Sequence, residues 1–499
     1  MATIFLEGFD TYGPVGQLTP SVNALLTQGA WNLCNFGLTI GAPLSRTGFS
    51  LAYAPGSGNL LGKTLPSAYS RLIGGIRFQT TGTLTNIPNF AIAFWNDSTP
   101  CCTIQCDAVS GLLSLRTGGT NGTTIGTPIV AISENSIHYL EWDISFGATS
   151  NYHLYLDGVS IQSGTGNTGN GFTTADVFML LSENLTYYDD LYIFDTTGST
   201  NNAVLNTNPR IETRFPSSDA QTQWTNGASL LGSSNSASSG FAAPGANTLF
   251  LRPFTSAVAQ TIDSVSTIPN ATSGSVKFKA VIYSDSAGSP HTLLSSGVEV
   301  VGSSTATTLT SNLVTPQSLS SATQYWIGFI TDTSIQLYVS ENNFSLGQVV
   351  SNTYTSGAPS TAPSMTVDQT DWLLWGNCTG AATNWESMSQ NPPSGDISSI
   401  NADTVNKEDL YAVPALSATS ANIYSVGVRG NFKRSDSGAR TVDLRLKSSS
   451  TDSAGSNSGI SAGQSYGTYD TYFDQDPNGP TGWTLTSANA IEIGPKIAS

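Results

Sequence analysis

Strict alternation of apolar and polar side chains limits what this chain can become more than any other feature. Residues 138–161 read HYLEWDISFGATSNYHLYLDGVSI. Leu140, Trp142, Ile144 and Phe146 take alternate positions, with Tyr139, Glu141, Asp143 and Ser145 between them. Successive side chains of a strand point to opposite faces, so this spacing predicts a strand with one buried face. After the loop GATSN, Tyr152, Leu154 and Leu156 alternate with His153, Tyr155 and Asp157. Asp157-Gly158 is a tight-turn dipeptide that returns the chain through Val159 and Ile161. Three consecutive antiparallel strands are expected.

The same pattern fills the chain from end to end. Helical spacing is not sustained anywhere, and short alternating runs are separated by Gly, Asn, Asp, Ser and Pro. The fold class is therefore expected to be all-β, made of antiparallel β-sandwiches. At about 100–200 residues per domain, 499 residues suggest two to four domains. Further strands are expected at 91–95, 112–115, 177–181 and 191–194, a loop at 196–207, and a strand at 210–215 ending at Pro216. The Ser/Gly/Ala-rich stretch 226–246 reads as a surface connection.

A second unit is expected over 247–365. There Phe278, Ala280 and Ile282 alternate with Lys277, Lys279 and Val281, and SGAPSTAPS (356–364) marks its end. In the last part Tyr424, Val426 and Val428 share a strand and SDSGAR turns the chain. Val442, Leu444 and Leu446 then alternate with Thr441, Asp443, Arg445 and Lys447, which reads as a hairpin with one wet face.

Composition excludes several classes. Only 10% of residues are charged and the net charge is −16, with 18 Lys plus Arg spread over the whole length. Phosphate-backbone recognition needs a basic patch, so nucleic acid is not an expected partner. No apolar run reaches the roughly 18 residues of a membrane span, and no membrane is expected. The start MATIFLEGFDTYG lacks a basic region and a long apolar core, so it does not read as a secretory signal. The Ser/Thr/Asn-rich composition nevertheless suits a protein outside a cell, and release by lysis reconciles the two. Of five cysteines, Cys101, Cys102 and Cys106 cluster as CC-x3-C, which is not zinc spacing. Buried free thiols or one disulfide within the cluster are the open alternatives.

The run YLEWDISFG…YHLYLDGVSI resembles laminin-G/concanavalin A-like jelly rolls over residues 1–197. The start FLEGFDTYG and the stretch YYDDLYIFDTTGSTNNAVLNTNPRIETRFPSSDAQTQWT resemble a class of tailed-bacteriophage virion proteins, in which a smaller sandwich follows the jelly roll. WESMSQNPPSGDISSINADTVNKEDLYAVPAL and GVRGNFKRSDSGARTVDLRLKSSS look like that second domain. About 150 residues separate segments that a short loop joins in that class. The resemblance thus implies a discontinuous C-terminal sandwich, 208–235 plus 370–499, with 247–365 inserted into one of its loops. Exposed loops accept such insertions at small closure cost.

Several catalytic readings can be weighed on residues. Laminarinase-type enzymes of the same fold carry E-x-D-x-x-E or E-x-D-x-E on one strand, with alternate carboxylates about 7 Å apart. Here Glu141 and Asp143 fit, but the third place holds Ser145 or Phe146. Without it nothing protonates the leaving group, so both carboxylates are expected on a solvated face. No nucleophile elbow, P-loop, dinucleotide fingerprint or HExxH is present, and His138, His153 and His291 stand outside any such pattern. No catalytic, cofactor-binding or metal residues are therefore assigned. Calcium is the one cofactor worth testing, through Asp189, Asp190, Asn96 and Asp97. Trp95 is a candidate for stacking on a sugar ring, against the plainer role of a core Trp.

The expectation is a non-enzymatic structural protein on the virion surface, as a capsid decoration or a tail-associated appendage or fibre. Its partners would be other virion proteins, further copies of itself and a host-surface glycan. A polysaccharide-degrading or glycan-binding adhesin is the alternative. No coiled-coil shaft or separate anchoring segment is visible, which favours a compact appendage or decoration.

Overall fold

Two sheets face each other across residues 3–194, as the period-two pattern demands. The computed structural model describes residues 3–12, 30–34, 38–41, 50–53, 59–80, 90–107, 110–128, 132–133, 135–182, 186–226, 229–232, 236–242, 245–256, 259–270, 276–302, 308–320, 323–333, 336–340, 347–368, 373–379, 384–388, 399–435, 437–479 and 482–499. Almost all regular structure among them is antiparallel strand. The chain divides into two compact units. One comprises Met1–Gln223 and Thr404–Ser499, the other most of what lies between.

In the first unit, one jelly-roll sheet runs Val159–Gly166, Ser150–Leu156, Ile137–Ser145, Arg71–Thr80, Thr186–Phe194, Ser50–Tyr53 and Leu38–Gly41, and Thr3–Glu7 also pairs with Thr186–Phe194. The second sheet centres on Thr99–Cys106, Phe90–Asn96, Ala175–Ser182 and Asn59–Tyr69. Trp142 is fully buried between them and stacks on Phe178 at 5.8 Å, with Phe94 edge-on to both. Aromatic pairs of this kind add about 0.5–1.5 kcal/mol beyond their burial. Gly74 makes room for that indole, because a Cβ there would lie 2.3 Å from Trp142 Cζ2. On the opposite face Gly75 does the same for Tyr139 and Tyr192. Paired glycines inside a strand thus mark a close approach from both sides.

The C-terminal sandwich of this unit joins Ser218–Gln221, Leu410–Ala412, Ile491–Ile497, Thr441–Ser448 and Thr451–Ser453. Thr441–Ser448 alternates strictly between half-buried and buried, so Val442, Leu444 and Leu446 face inward as their spacing predicts. The expected hairpin does not form. Val426–Phe432 pairs with Gly467–Phe473, and Thr441–Ser448 pairs with Ile491–Ile497. Tyr424 lies outside the strand.

The second unit packs a sheet of Ser229–Gly232, Leu374–Thr379, Gln260–Thr267 and Leu309–Leu319 against one that includes Val276–Ser286, Ser289–Ser296, Thr323–Thr331 and Thr248–Ser256. Phe250, Ile262, Phe278, Ile327 and Phe329 fill its core. Three boundaries differ from expectation. Ser229–Gly232 and Ser236–Ala242 are strands inside the supposed connection 226–246. Leu374–Thr379 pairs with Gln260–Thr267, so it belongs to this unit and not to the C-terminal sandwich. Residues 356–364 do not end the unit, since Leu293 N–H donates to Ser360 O and Ala362 N–H to His291 O. Residues 210–215 form no strand. Alternation reports which way side chains point, and none of these partners is local.

Candidate functional site

Glu141 and Asp143 share a face of Ile137–Ser145, opposite Gly75 and Ile73 of the neighbouring strand. That face is not solvated at Glu141, which is 0% exposed. Its Oε1 accepts from Tyr192 Oη at 2.6 Å and from the backbone N–H groups of Leu205 and Asn206 at 3.0 Å each. The segment after the jelly roll therefore crosses this face and closes over the carboxylate. Tyr139, Tyr192 and Phe194 pack there with Leu6, Val204 and Leu205. The expectation of a wet Glu141 is corrected: an apolar cover supplied from some sixty residues downstream buries it. Burial and the Glu141 charge push the Tyr192 hydroxyl far above its ordinary pKa, which leaves it a donor.

Asp143 behaves differently. It is half-buried and holds Arg71 through two hydrogen bonds, Nε to Oδ1 at 2.7 Å and Nη2 to Oδ2 at 2.6 Å. Across the sheet His153 stacks on Tyr155 at 4.1 Å, with Nδ1 2.8 Å from Tyr155 Oη and Nε2 2.6 Å from Ser160 Oγ. His138 lies against Asp157 at 2.8 Å, and His291 against Thr292. Ser145 and Phe146 take the place where an acid would stand. The strand thus carries two carboxylates with different duties: one fastens a covering segment, the other an ion pair.

A second buried carboxylate escaped the sequence reading. Glu7, in FLEGFD, is 2% exposed and accepts from Phe9 N–H, Tyr12 Oη and Trp31 Nε1. Arg429 of the C-terminal sandwich reaches it through Nη1, 3.2 Å from Oε2, and binds Asp470 through Nε at 2.7 Å. Burial works against the Arg429 charge, but Asp470 and Glu7 outweigh it and push its pKa up. The two sandwiches of this unit are therefore joined by a charged contact, with Asn201 Nδ2 donating to Tyr424 O beside it. A lone Glu among apolar residues, and an Arg between Val428 and Gly430, were the available signals.

Asp189 and Asp190 are both buried, and Asp190 sits in a left-handed turn at φ 50°. Asp189 Oδ1 accepts from Asp190 N–H, and Asp190 Oδ1 from Ile211 N–H. Burial, then the Asp190 charge, push the Asp189 carboxyl up to about 9. Asn96 and Asp97 lie elsewhere, bonded to Thr174 and Asp176. Among the described residues no three His, Cys, Asp or Glu side chains are placed to hold a metal. The four calcium candidates do not fit such an ion, because they form two separate groups and backbone donors hold the buried pair.

Trp95 is half-buried against Ala93, Val177 and Met179, with its indole N–H shielded. It packs as an extension of the sheet, not as an open platform. Cys101, Cys102 and Cys106 form no disulfide and are all fully buried, and burial pushes Cys101 up to about 11.

No protein-family model and no curated protein matches the chain. Among solved structures it is similar to domain 4 of an extracellular family-43 arabinanase from Geobacillus stearothermophilus, in complex with arabinotriose, at 19% identity over 32% of this chain and 77% of that one (TM-score 0.25). Carbohydrate-binding module CBM66 from Bacillus subtilis matches at 11% identity over 32% and 92% (TM-score 0.24). Alginate lyase Aly36B, as a mutant with alginate tetrasaccharide, matches at 11% identity over 39% and 97% (TM-score 0.30).

Proposed function

We propose that this is a non-enzymatic structural protein of a tailed-phage virion surface, a capsid decoration or a tail-associated appendage. In this reading it packs on other virion proteins, alongside further copies of itself, and holds sandwich domains outward. The observation that carries the reading is the use made of Glu141. The carboxylate a glycan-cleaving strand would present to substrate is enclosed by Tyr192, Leu205 and Asn206. A buried acceptor with three donors contributes to rigidity and has no path to a sugar. The Glu7–Arg429–Asp470 contact acts in the same direction, since a display protein gains from sandwiches that do not swing. The virion assignment is supported by the sequence resemblance of FLEGFDTYG and of residues 187–225.

Host-surface glycan attachment is a second reading, favoured by an open cleft in the second unit with both polar and apolar lining. Two measurements test the first. Antibody against this chain should label the surface of purified particles by electron microscopy. Incubation with β-glucans, alginate and host capsule should release neither reducing ends nor unsaturated uronates. Turnover that disappears in Glu141→Gln would replace this reading with the enzymatic one.

A further inference from the structure

We propose that the second unit carries a binding site for a neutral hexose or N-acetylhexosamine. This deepens the attachment reading by naming a place and a ligand class. The site is an open cleft of about 500 Å3 lined by residues that include Ser284, Asp285, Leu294, Gln317, Gln324 and Tyr325. That volume lies within the roughly 300–1,000 Å3 of small-molecule sites.

The fold fixes its polar groups from three directions. Val276–Ser286 and Ser289–Ser296 form a hairpin whose turn holds Ala287 and Gly288 at positive φ, 52° and 79°. Gly288 N–H donates back to Asp285 Oδ2 at 3.1 Å. From the facing strand, Gln324 Nε2 and Trp326 Nε1 both donate to Asp285 Oδ1, at 2.9 and 2.8 Å. The carboxylate is thus oriented by neutral donors, and no described cation pairs with it. Oδ1 is filled by its two donors, and Oδ2, with one, keeps lone-pair capacity for a ligand hydroxyl.

Gln317 arrives from the other sheet. There Ile262 faces Gln317 while Ser264 faces Asn312, so residues 313–316 form a bulge, with Leu313 in the core and 314–316 exposed. Ser295 Oγ pins the bulge by donating to Thr315 O at 2.6 Å. Bulges of this kind re-aim side chains at sites. Gln317 Nε2 donates to Ser318 O, and its Oε1 is left to accept. Leu294 and Tyr325 add an apolar wall suited to the C–H face of a pyranose.

Ligand class follows from this lining. An oriented acceptor carboxylate, two amides and a hydroxyl beside an apolar wall match vicinal hydroxyls. The unneutralised Asp285 charge repels uronates and sulfated sugars.

Saturation-transfer NMR on the full chain tests the site with methyl glucoside, methyl galactoside, N-acetylglucosamine and glucuronate as probes. The expected result is transfer to a neutral sugar and none to glucuronate. Gln317→Ala should weaken that binding about three- to tenfold, the worth of one hydrogen bond. Its melting curve should not change, so the result stands even where Asp285→Asn unfolds the unit. Transfer that persists undiminished in Gln317→Ala overturns this site and leaves glycan attachment standing elsewhere on the chain. Equal transfer to glucuronate overturns the ligand class. No transfer from any neutral probe overturns the site and the attachment reading together.

Discussion

Glu141 holds three donors with one oxygen; the Tyr192 hydroxyl is buried, while the Leu205 and Asn206 N–H groups are part-buried. Glu141→Ala leaves the buried Tyr192 hydroxyl without its acceptor, so a loss of about 1–3 kcal/mol is expected in urea unfolding of the first unit. A loss below about 1 kcal/mol would mean the covering segment is not fastened there. Asp189 gives a pH signature. Its folded pKa, about 9, lies above its ordinary value near 3.8. The fold therefore favours the protonated form, so the contribution of Asp189 to stability is fully present below about pH 4 and is lost as pH rises toward 9. Asp189→Asn keeps the acceptor for Asp190 N–H and removes the titration. Its melting temperature should exceed that of the parent at pH 8, with a flatter profile between pH 4 and 9; parallel profiles would refute the assignment. At this scale the sequence was legible in part. Period two correctly separated Glu141 from Trp142 but could not report that Glu141's face is dry. The residues that dry it, Val204 to Asn206, lie in a stretch with no alternation of their own.

Single strands were more legible than their pairings. The strands at 137–145, 150–156 and 175–182 follow from local alternation, as does the inward row Val442, Leu444 and Leu446. Partner choice does not, because nearest neighbours in sequence are only the commonest neighbours in space. Val426–Phe432 shows this: a turn signal follows it, yet its partner is Gly467–Phe473. That pairing sets Arg429 opposite Asp470 and aims the guanidinium at Glu7. Arg429→Ala leaves the 2%-exposed Glu7 without its cation, and breaking such a contact costs about 3–5 kcal/mol. Arg429→Lys should recover little of it, since an ammonium cannot span two carboxylates as a planar fork does. The check is the two variants' denaturant midpoints, together with cleavage between the sandwiches by a protease added under native conditions. Full recovery in the lysine variant would show that charge alone, without geometry, joins the two sandwiches.

For the whole molecule, the first unit's break in sequence need not be a break in structure. Ser218–Gln221 pairs with Leu410–Ala412, which in turn pairs with Ile491–Ile497. Gln223 N–H then donates to Asp409 Oδ1, and Glu408 N–H to Gln223 Oε1 at 2.9 Å. Lys407 N–H reaches Thr404 O. The two ends of the excursion thus leave the first unit side by side, held by its own strands. Closing so small a gap with a few Gly and Ser residues costs little entropy, because closure scales only with the logarithm of loop length. The second unit, for its part, has its own aromatic core and its own two sheets. Replacing residues 225–403 by a short Gly/Ser bridge should therefore leave a folded protein, with the β-sheet circular dichroism of the first unit and its melting midpoint within a few degrees of the parent's. Residues 225–403 expressed alone should melt cooperatively as well. If the bridged chain were unfolded while the full chain is folded, the Ser218–Gln221 pairing would depend on the excursion, and the two units would be one cooperative body instead of a host and a guest.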